Sequence, residues 1–297
     1  MKEIFKRHPR YGVAPGDFAS SKDTLWVRCP RCRELLYTRE QEQSCRVCSK
    51  CKYHFQIGAR ERIDITVDSG SFRECDANLR SVDPLSFESL GESYGAKLRQ
   101  YAEQSGEGEA FLYGTATIEG LRLVVGATDF RFCGGTMGAA PGEKVTRAIE
   151  LAEAEALPLV LFSTGGGARM QEGAISLLQM AKTVAALERF KAAGLPYLSV
   201  MVDPCLGGTT ASYAMLGDVN IAEPGAYIGF AGRRVIEQTM RQKLPPDAAT
   251  AEFLQQHGMV DLVLSRPEIA GTLARLIRMY VTCNSRAKER RLVEQHA

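Results

Sequence analysis

The chain has 297 residues, 45% of them hydrophobic and 24% charged, a balance that excludes a disordered polymer and leaves room for one large core plus a small module. Lysine and arginine number 37 against 35 acidic residues, so the overall charge selects no polyanionic partner. No run of eighteen apolar residues occurs, which excludes a helical membrane span of ordinary length.

The basic start, MKEIFKRHPR, is followed by no apolar stretch of signal-peptide length, and a cytoplasmic enzyme is the expectation. Five of nine cysteines fall between Cys29 and Cys51; in a reducing compartment such clustering points to metal before disulfides. Residues 1–60 therefore read as an N-terminal arm and a metal-folded ribbon. Residues 61–110 read as a charged helical linker, and 111–297 as the main domain.

Within the first segment, Cys29-x2-Cys32 and Cys48-x2-Cys51 are separated by fifteen residues. This spacing suits a four-thiolate zinc site, because each pair presents two thiolates on one side of a tight turn and two such pairs complete a tetrahedron. A shell closed in this way is structural rather than catalytic. Cys45 offers an alternative partner for Cys48 that would spare Cys51. The parallel continuations CSKC to KYHFQI and CPRC to RELLYT favour Cys48 with Cys51. Arg28, Arg31, Arg33, Arg46, Lys50 and Lys52 offset the thiolate charge; a sharper reading gives them a polyanion, either nucleic acid or coenzyme A phosphates.

From Phe111 an apolar strand, a glycine-rich turn and a helix recur. FLYGTATIEG and LRLVVGATDF lead into FCGGTMGAAPGEK and a helix whose Val145, Ile149 and Ala152 share one face. LPLVLFS leads into TGGGARMQEG and a long helix, where Leu177, Met180, Ala181, Val184 and Leu187 read as the core-facing stripe. YLSVMVD leads into PCLGGTT, AYIGF into AGRR and a helix, and MVDLVL into a helix from about Pro267. The unit reads as a strand pair and a helix, stacked as an α/β superhelix or a doubly wound sheet; spacing does not choose between them.

The turn from Ser163 to Arg169 follows a buried strand, so the amides of Gly166, Gly167 and Ala168 are candidate free donors. Two donors converging on one point would stabilise an oxyanion, and bare glycine lets a carbonyl approach the backbone. Gly207 and Gly208 repeat the arrangement one unit later. Neither phosphate-loop nor dinucleotide spacing is present. Of the four histidines, His8, His54, His257 and His296, only His257 lies in the body of the main domain, in a helix-end context. Glu172 reads as a helix-surface glutamate, and no GxSxG elbow occurs. A reaction asking little acid or base chemistry of the protein is expected.

The runs FSTGGGARMQEGAISLLQMAKT, GLPYLSVMVDPCLGGTTASYAMLGD and IGFAGRRVIEQTMRQKLPP resemble the β subunit of bacterial acetyl-CoA carboxylase carboxyltransferase, from about Trp26 to about Met279. The resemblance implies that Cys29, Cys32, Cys48 and Cys51 ligate zinc, with Cys45 outside the set. It implies a crotonase-like ββα superhelix, with an oxyanion hole at Gly166, Gly167, Gly207 and Gly208. It further implies acetyl-CoA as substrate, an α subunit of similar fold in an α2β2 heterotetramer, and carboxybiotin delivered on the biotin carboxyl carrier protein, giving malonyl-CoA for fatty acid synthesis. In that scheme the cofactor accepts the methyl proton, so no protein base is required.

Arg33, Pro141 and Arg233 depart from the family's usual glycine, aliphatic residue and proline. Leu206 stands where methionine is frequent, which suggests a duplicate copy tolerant of an inhibitor. Lys144, Arg233 and Arg234 are candidates for the coenzyme A phosphates. Two rival readings are another crotonase-type acyl-CoA enzyme, a decarboxylase or hydratase, and a zinc-ribbon nucleic-acid-binding protein.

Overall fold

The computed structural model describes residues 25–245 and 247–295, with side chains as far as residue 282 except that of Arg234. The N-terminal arm, His8 and His296 lie outside the described residues. The chain divides into two compact units between Ile57 and Gly58.

The first unit contains strands β1 (Trp26–Arg28) and β2 (Leu35–Tyr37), paired antiparallel, and helix α1 (Thr38–Gln43). Among the described residues its buried apolar cluster is Cys29, Leu36, Cys48 and Phe55, with Val27, Cys51 and Tyr53 packed against it. So small a core does not offset the entropy of ordering the segment.

The second unit opens with helix α2 (Ala59–Asp64), edge strand β3 (Arg73–Cys75), a short hairpin of β4 (Glu88–Ser89) and β5 (Glu92–Ser93), and helix α3 (Tyr94–Ser105). Helix α3 starts where the Ser93 hydroxyl accepts from the Ala96 amide and stops at Gly106, φ +74°, the usual chemistry of both ends. The stretch read as a linker thus holds two helices, and through β3 it also supplies a strand of the main sheet.

There follow β6 (Phe111–Ile118), β7 (Leu121–Thr128), α4 (Ala139–Ala154), β8 (Leu159–Gly165), α5 (Ala174–Ala192), β9 (Tyr197–Leu206), β10 (Val219–Ala222), β11 (Ile228–Gly229), α6 (Arg233–Met240), α7 (Ala251–Gln256), β12 (Leu262–Val263) and α8 (Arg266–Gln295). The main sheet runs β12-β10-β9-β8-β7-β6-β3, with β11 paired to the end of β9. Only β3–β6 and β6–β7 are antiparallel; the remaining pairs are parallel. A strand pair therefore opens only the first unit of the repeat, and later units use one main strand each. Every residue of β8 is buried, as expected for a parallel strand covered on both faces.

On one face Val145, Ile149 and Ala152 of α4 pack against Phe111, Val124, Leu159 and Leu161. On the other, Ile63 of α2 and Ile269, Leu273 and Ile277 of α8 cover Leu112, Val125, Val160 and Val200. There Glu223 is buried between Arg62 and Arg266. Among the described residues no helix is long and apolar enough to cross a membrane.

Helix α5 corrects the stripe read from its sequence. It packs on α4 rather than on the sheet, and the face it buries carries Ser176, Gln179, Thr183, Ala186, Leu187 and Phe190. Gly142 of α4 makes this approach feasible, since a Cβ there would lie 2.6 Å from the Gln179 side chain. Of the expected stripe Leu187 is buried, whereas Leu177 is 53% and Val184 36% exposed.

Candidate active site and metal centre

The four ribbon thiols converge from two knuckles of matching geometry. In the first, the Cys29 amide donates to Glu34 O, the Arg33 amide donates to Cys29 O, and Arg33 sits at φ +66°. In the second, the Cys48 amide donates to Tyr53 O, the Lys52 amide donates to Cys48 O, and Lys52 sits at φ +59°. The left-handed backbone at Arg33 explains why a glycine would sit there without strain. The Sγ atoms of Cys29 and Cys51 are 3.6 Å apart, and those of Cys32 and Cys48 are 3.8 Å apart. All four ligand atoms lie within 4.8 Å of one another, and Cys45 is outside the group. A tetrahedral zinc with bonds of about 2.3 Å requires sulfur separations of about 3.8 Å, so the thiols fit the ion.

In the second unit the two glycine turns sit at the carboxyl ends of adjacent parallel strands, where open α/β sheets bind their ligands. The first turn leaves β8 at Gly165, whose φ of +144° and 2.3 Å clearance from a would-be Cβ to Gly135 O admit no side chain. It is stitched to the preceding loop by Gly166 N donating to Gly134 O (2.9 Å), Met137 N to Gly167 O (2.8 Å) and Arg169 N to Met137 O (2.9 Å). The second turn leaves β9 and is held by Gly207 N donating to Gly229 O (3.1 Å) and Ser212 Oγ to Gly208 O.

This accounting corrects the four-glycine reading. The amides of Gly166 and Gly207 are already engaged and offer nothing to a ligand. Those of Gly167 and Gly208 donate to no partner among the described residues. The turns touch: a Cβ on Gly167 would stand 3.3 Å from Gly207 Cα and 3.4 Å from Gly208 N. Two unspent donors therefore lie close to one another at the ends of β8 and β9.

Glu172 is not a surface glutamate; it is 1% exposed. Its carboxylate accepts from Tyr94 Oη (2.7 Å) and from the Ala139 amide at the start of α4, and lies 3.5 Å from Arg169 Nη1. The helix terminus, the Tyr94 hydroxyl and the guanidinium hold this carboxylate in place, so it is not free to serve a hydratase. Arg169, also buried, donates to Glu109, Ser81, Tyr94 and Thr136. Although burial alone would raise it, Arg169 keeps the Glu109 carboxyl below its ordinary range. Nothing in the residue spacing announced this network, because its members come from positions 81, 94, 109, 136, 169 and 172.

Two candidates for phosphate contact also change. Lys144 is buried, and burial lowers its ammonium pKa against the opposing pull of Glu109, Glu74 and Asp76. Arg233 spends its guanidinium on the carbonyls of Leu244, Pro245 and Ala248. The side chain of Arg234 lies outside the described residues. His257 is exposed, with Nδ1 2.7 Å from the carbonyl oxygen of Phe253 in the helix it ends.

A family model described as "Carboxyl transferase domain" matches residues 56–292, which places the chain among the carboxyl transferase domain proteins. It is 50% identical over 281 residues to acetyl-coenzyme A carboxylase carboxyl transferase subunit beta 2 of Roseiflexus sp. (strain RS-1), covering 94% of this chain and 93% of the relative. It is 51% identical over 288 residues to the corresponding subunit beta of Desulforamulus reducens, covering 94% and 99%. The chain belongs to the family of acetyl-coenzyme A carboxylase carboxyl transferase β subunits. Among solved structures it resembles transcarboxylase 12S with methylmalonyl-coenzyme A and methylmalonic acid bound (TM-score 0.62, 25% identity, 80% of this chain and 41% of that one). A single-chain long-chain acyl-CoA carboxylase is similar too (0.59, 27% identity, 84% and 27%). The chain thus spans less than half of either. The Pseudomonas malonate decarboxylase MdcD–MdcE heterodimer (0.58, 23% identity, 75% and 86%) shares the fold. The architecture is crotonase-like.

Proposed function

We propose that this chain is the β half of an acetyl-CoA carboxylase carboxyltransferase, acting in the cytoplasm to make malonyl-CoA for fatty acid synthesis. One observation carries the reading: the unspent amides of Gly167 and Gly208 on touching turns at the carboxyl end of the sheet. Carboxybiotin on its carrier protein would supply the carboxyl group as carbon dioxide, and the biotin left behind would be the base for the methyl proton of acetyl-CoA. The two amides donate to the thioester oxygen and strengthen as negative charge gathers on it in the enolate, a difference of on the order of 3 kcal/mol per donor. Gly166 and Gly207 shape the turns, their amides donating to Gly134 O and Gly229 O rather than to the substrate. No side chain is asked to remove a proton, in keeping with the engagement of Glu172 and His257 elsewhere.

An α subunit of similar fold completes the site. Met170 (80%), Leu177 and Leu178 follow the first turn in the chain and Phe230 (76%) and Val235 follow the second; so many exposed apolar side chains favour a protein partner over water. The complex with the α subunit should form malonyl-CoA from acetyl-CoA and carboxybiotin. Turnover of an enoyl-CoA by the chain alone would replace this reading with the hydratase one.

The zinc is structural. Each chain should carry one equivalent by metal analysis, and Cys32→Ser should lose it. Far-ultraviolet circular dichroism of the isolated ribbon should then show loss of order, since binding and folding are coupled in such modules. A fully ordered metal-free ribbon would contradict the assignment.

A further inference from the structure

Three hydroxyls lie sealed behind the two glycine turns. Ser163 is 0%, Thr209 1% and Thr128 8% exposed, and the Oγ atom of each lacks a hydrogen-bond partner among the described residues. Buried polar groups are ordinarily paired, either with protein or with ordered water.

The three come from different segments. Thr128 ends β7, and the register that pairs Ala127 with Phe162 sets it beside Ser163 on β8. Counted by twos from Val124 and Leu159, which belong to the cluster on the α4 side, both residues point to that side. Thr209 follows Gly208, and its carbonyl accepts from the Ala214 amide at 3.1 Å. The segment so folded back brings Tyr213 into the same cluster, where its carbonyl accepts from Tyr197 Oη at 2.9 Å. All three hydroxyls act on the Tyr213 phenol: burial pushes its pKa up to about 12 against the opposing pull of Thr128, Ser163 and Thr209. Four oxygens thus converge, yet no orphan reaches another described group in bonding geometry.

Both turns border this place. Thr128 Cγ2 would lie 3.2 Å from a Cβ on Gly135, next to the Gly134 carbonyl that holds the Gly166 amide. Ser163 stands two residues before Gly165, and Thr209 directly after Gly208.

We infer that one ordered water lies among Thr128, Ser163, Thr209 and Tyr213 and fixes the direction of the Gly208 N–H; the second clause rests on the reading of the Gly167 and Gly208 amides above. Water both donates and accepts, and a buried water typically makes about three hydrogen bonds to groups that lack other partners. It spans gaps too long for direct contact with little enthalpic loss. Pairing of β8 with β9 spaces the turns, but the chain beyond Gly207 has left the ladder and can swivel. A bridge from Thr209 to Thr128 and Ser163 ties it to two strand ends, so the Gly208 peptide turns only by breaking a bond to the water.

The test begins with a crystal structure of the complex with the α subunit, in which a water should lie within hydrogen-bond distance of at least three of the four oxygens. No density there overturns the proposal. Denaturant melts of Ser163→Ala and Thr209→Val read the same site by their sign. Removing an orphan hydroxyl raises the denaturation midpoint, whereas removing one bonded to water lowers it. Both midpoints should fall, and the double variant should fall by less than the sum, because the two share one water. A rise in either overturns the site. Tyr213→Phe takes the place of a variant that does not fold. In the complex, Thr209→Val should lower kcat for malonyl-CoA formation about tenfold at the parent KM for acetyl-CoA, and Thr209→Ser, which keeps the hydroxyl, should recover most of it. An unchanged kcat, or a loss that serine does not recover, overturns the positioning role. If the parent complex makes no malonyl-CoA, the proposed function fails and the positioning role with it, while the crystal and the melts still decide the water.

Discussion

Gly167→Ala is expected to lower kcat about 10²- to 10³-fold, the loss seen when one oxyanion donor is removed. The new methyl would stand 3.4 Å from Gly208 N, between the two free amides, and Gly167 has φ +101°, where a side chain is strained. Gly166→Ala is the matched control. Gly166 is exposed, its nearest would-be contact is 3.6 Å away, and its amide is already bonded to Gly134 O. It should therefore retain activity within about twofold. Steady-state kinetics of the two variants with the α subunit distinguish the two-amide arrangement from a four-glycine one. Equal losses at both positions would favour the latter.

Arg169→Met should destabilise the second unit by about 3–5 kcal/mol, because Glu109 and Glu172 would remain buried without their shared cation. Lysine at this position should restore only part of the loss, since one ammonium cannot reach Glu109, Ser81, Tyr94 and Thr136 together. Denaturant melts of the three proteins measure this. The effect should depend on pH. Glu109 is depressed in the folded state, so its contribution is fully present above the ordinary glutamate pKa of 4.5 and is lost as pH falls through the lower folded value. The stability gap between parent and Arg169→Met should consequently narrow in acid; a gap that held constant from pH 7 to pH 3 would dissociate Arg169 from Glu109.

The features legible in the sequence were those written in local spacing. The x2 cysteine pairs and their matching continuations located the metal cluster, and the glycine turns between apolar runs located the place where β8 and β9 end. The face of α4 bearing Val145, Ile149 and Ala152 was read correctly because that helix lies directly on the sheet. Helix α5 was misread because it lies on α4, where close packing against Gly142 selects Ser176, Gln179 and Thr183 over larger apolar residues; its Leu177 and Leu178 face outward. Glu172 was misread for a related reason, since its partners Tyr94 and Ala139 are remote in the chain. Hydrogen-bond accounting at the turns was likewise beyond the sequence. Which glycine amide is spent depends on Gly134 and Gly229, carbonyls brought there by tertiary folding.

The adjacency of β8 and β9 has a consequence for how tightly the chemistry is gauged. Neighbouring strands in a sheet lie about 4.8 Å apart, and each of the two donors hangs just beyond the end of one of them. Their separation is thus metered by main-chain pairing deep in the domain rather than by any side chain around the pocket. Substitutions that leave the ladder intact can reshape the pocket walls without resetting that gauge.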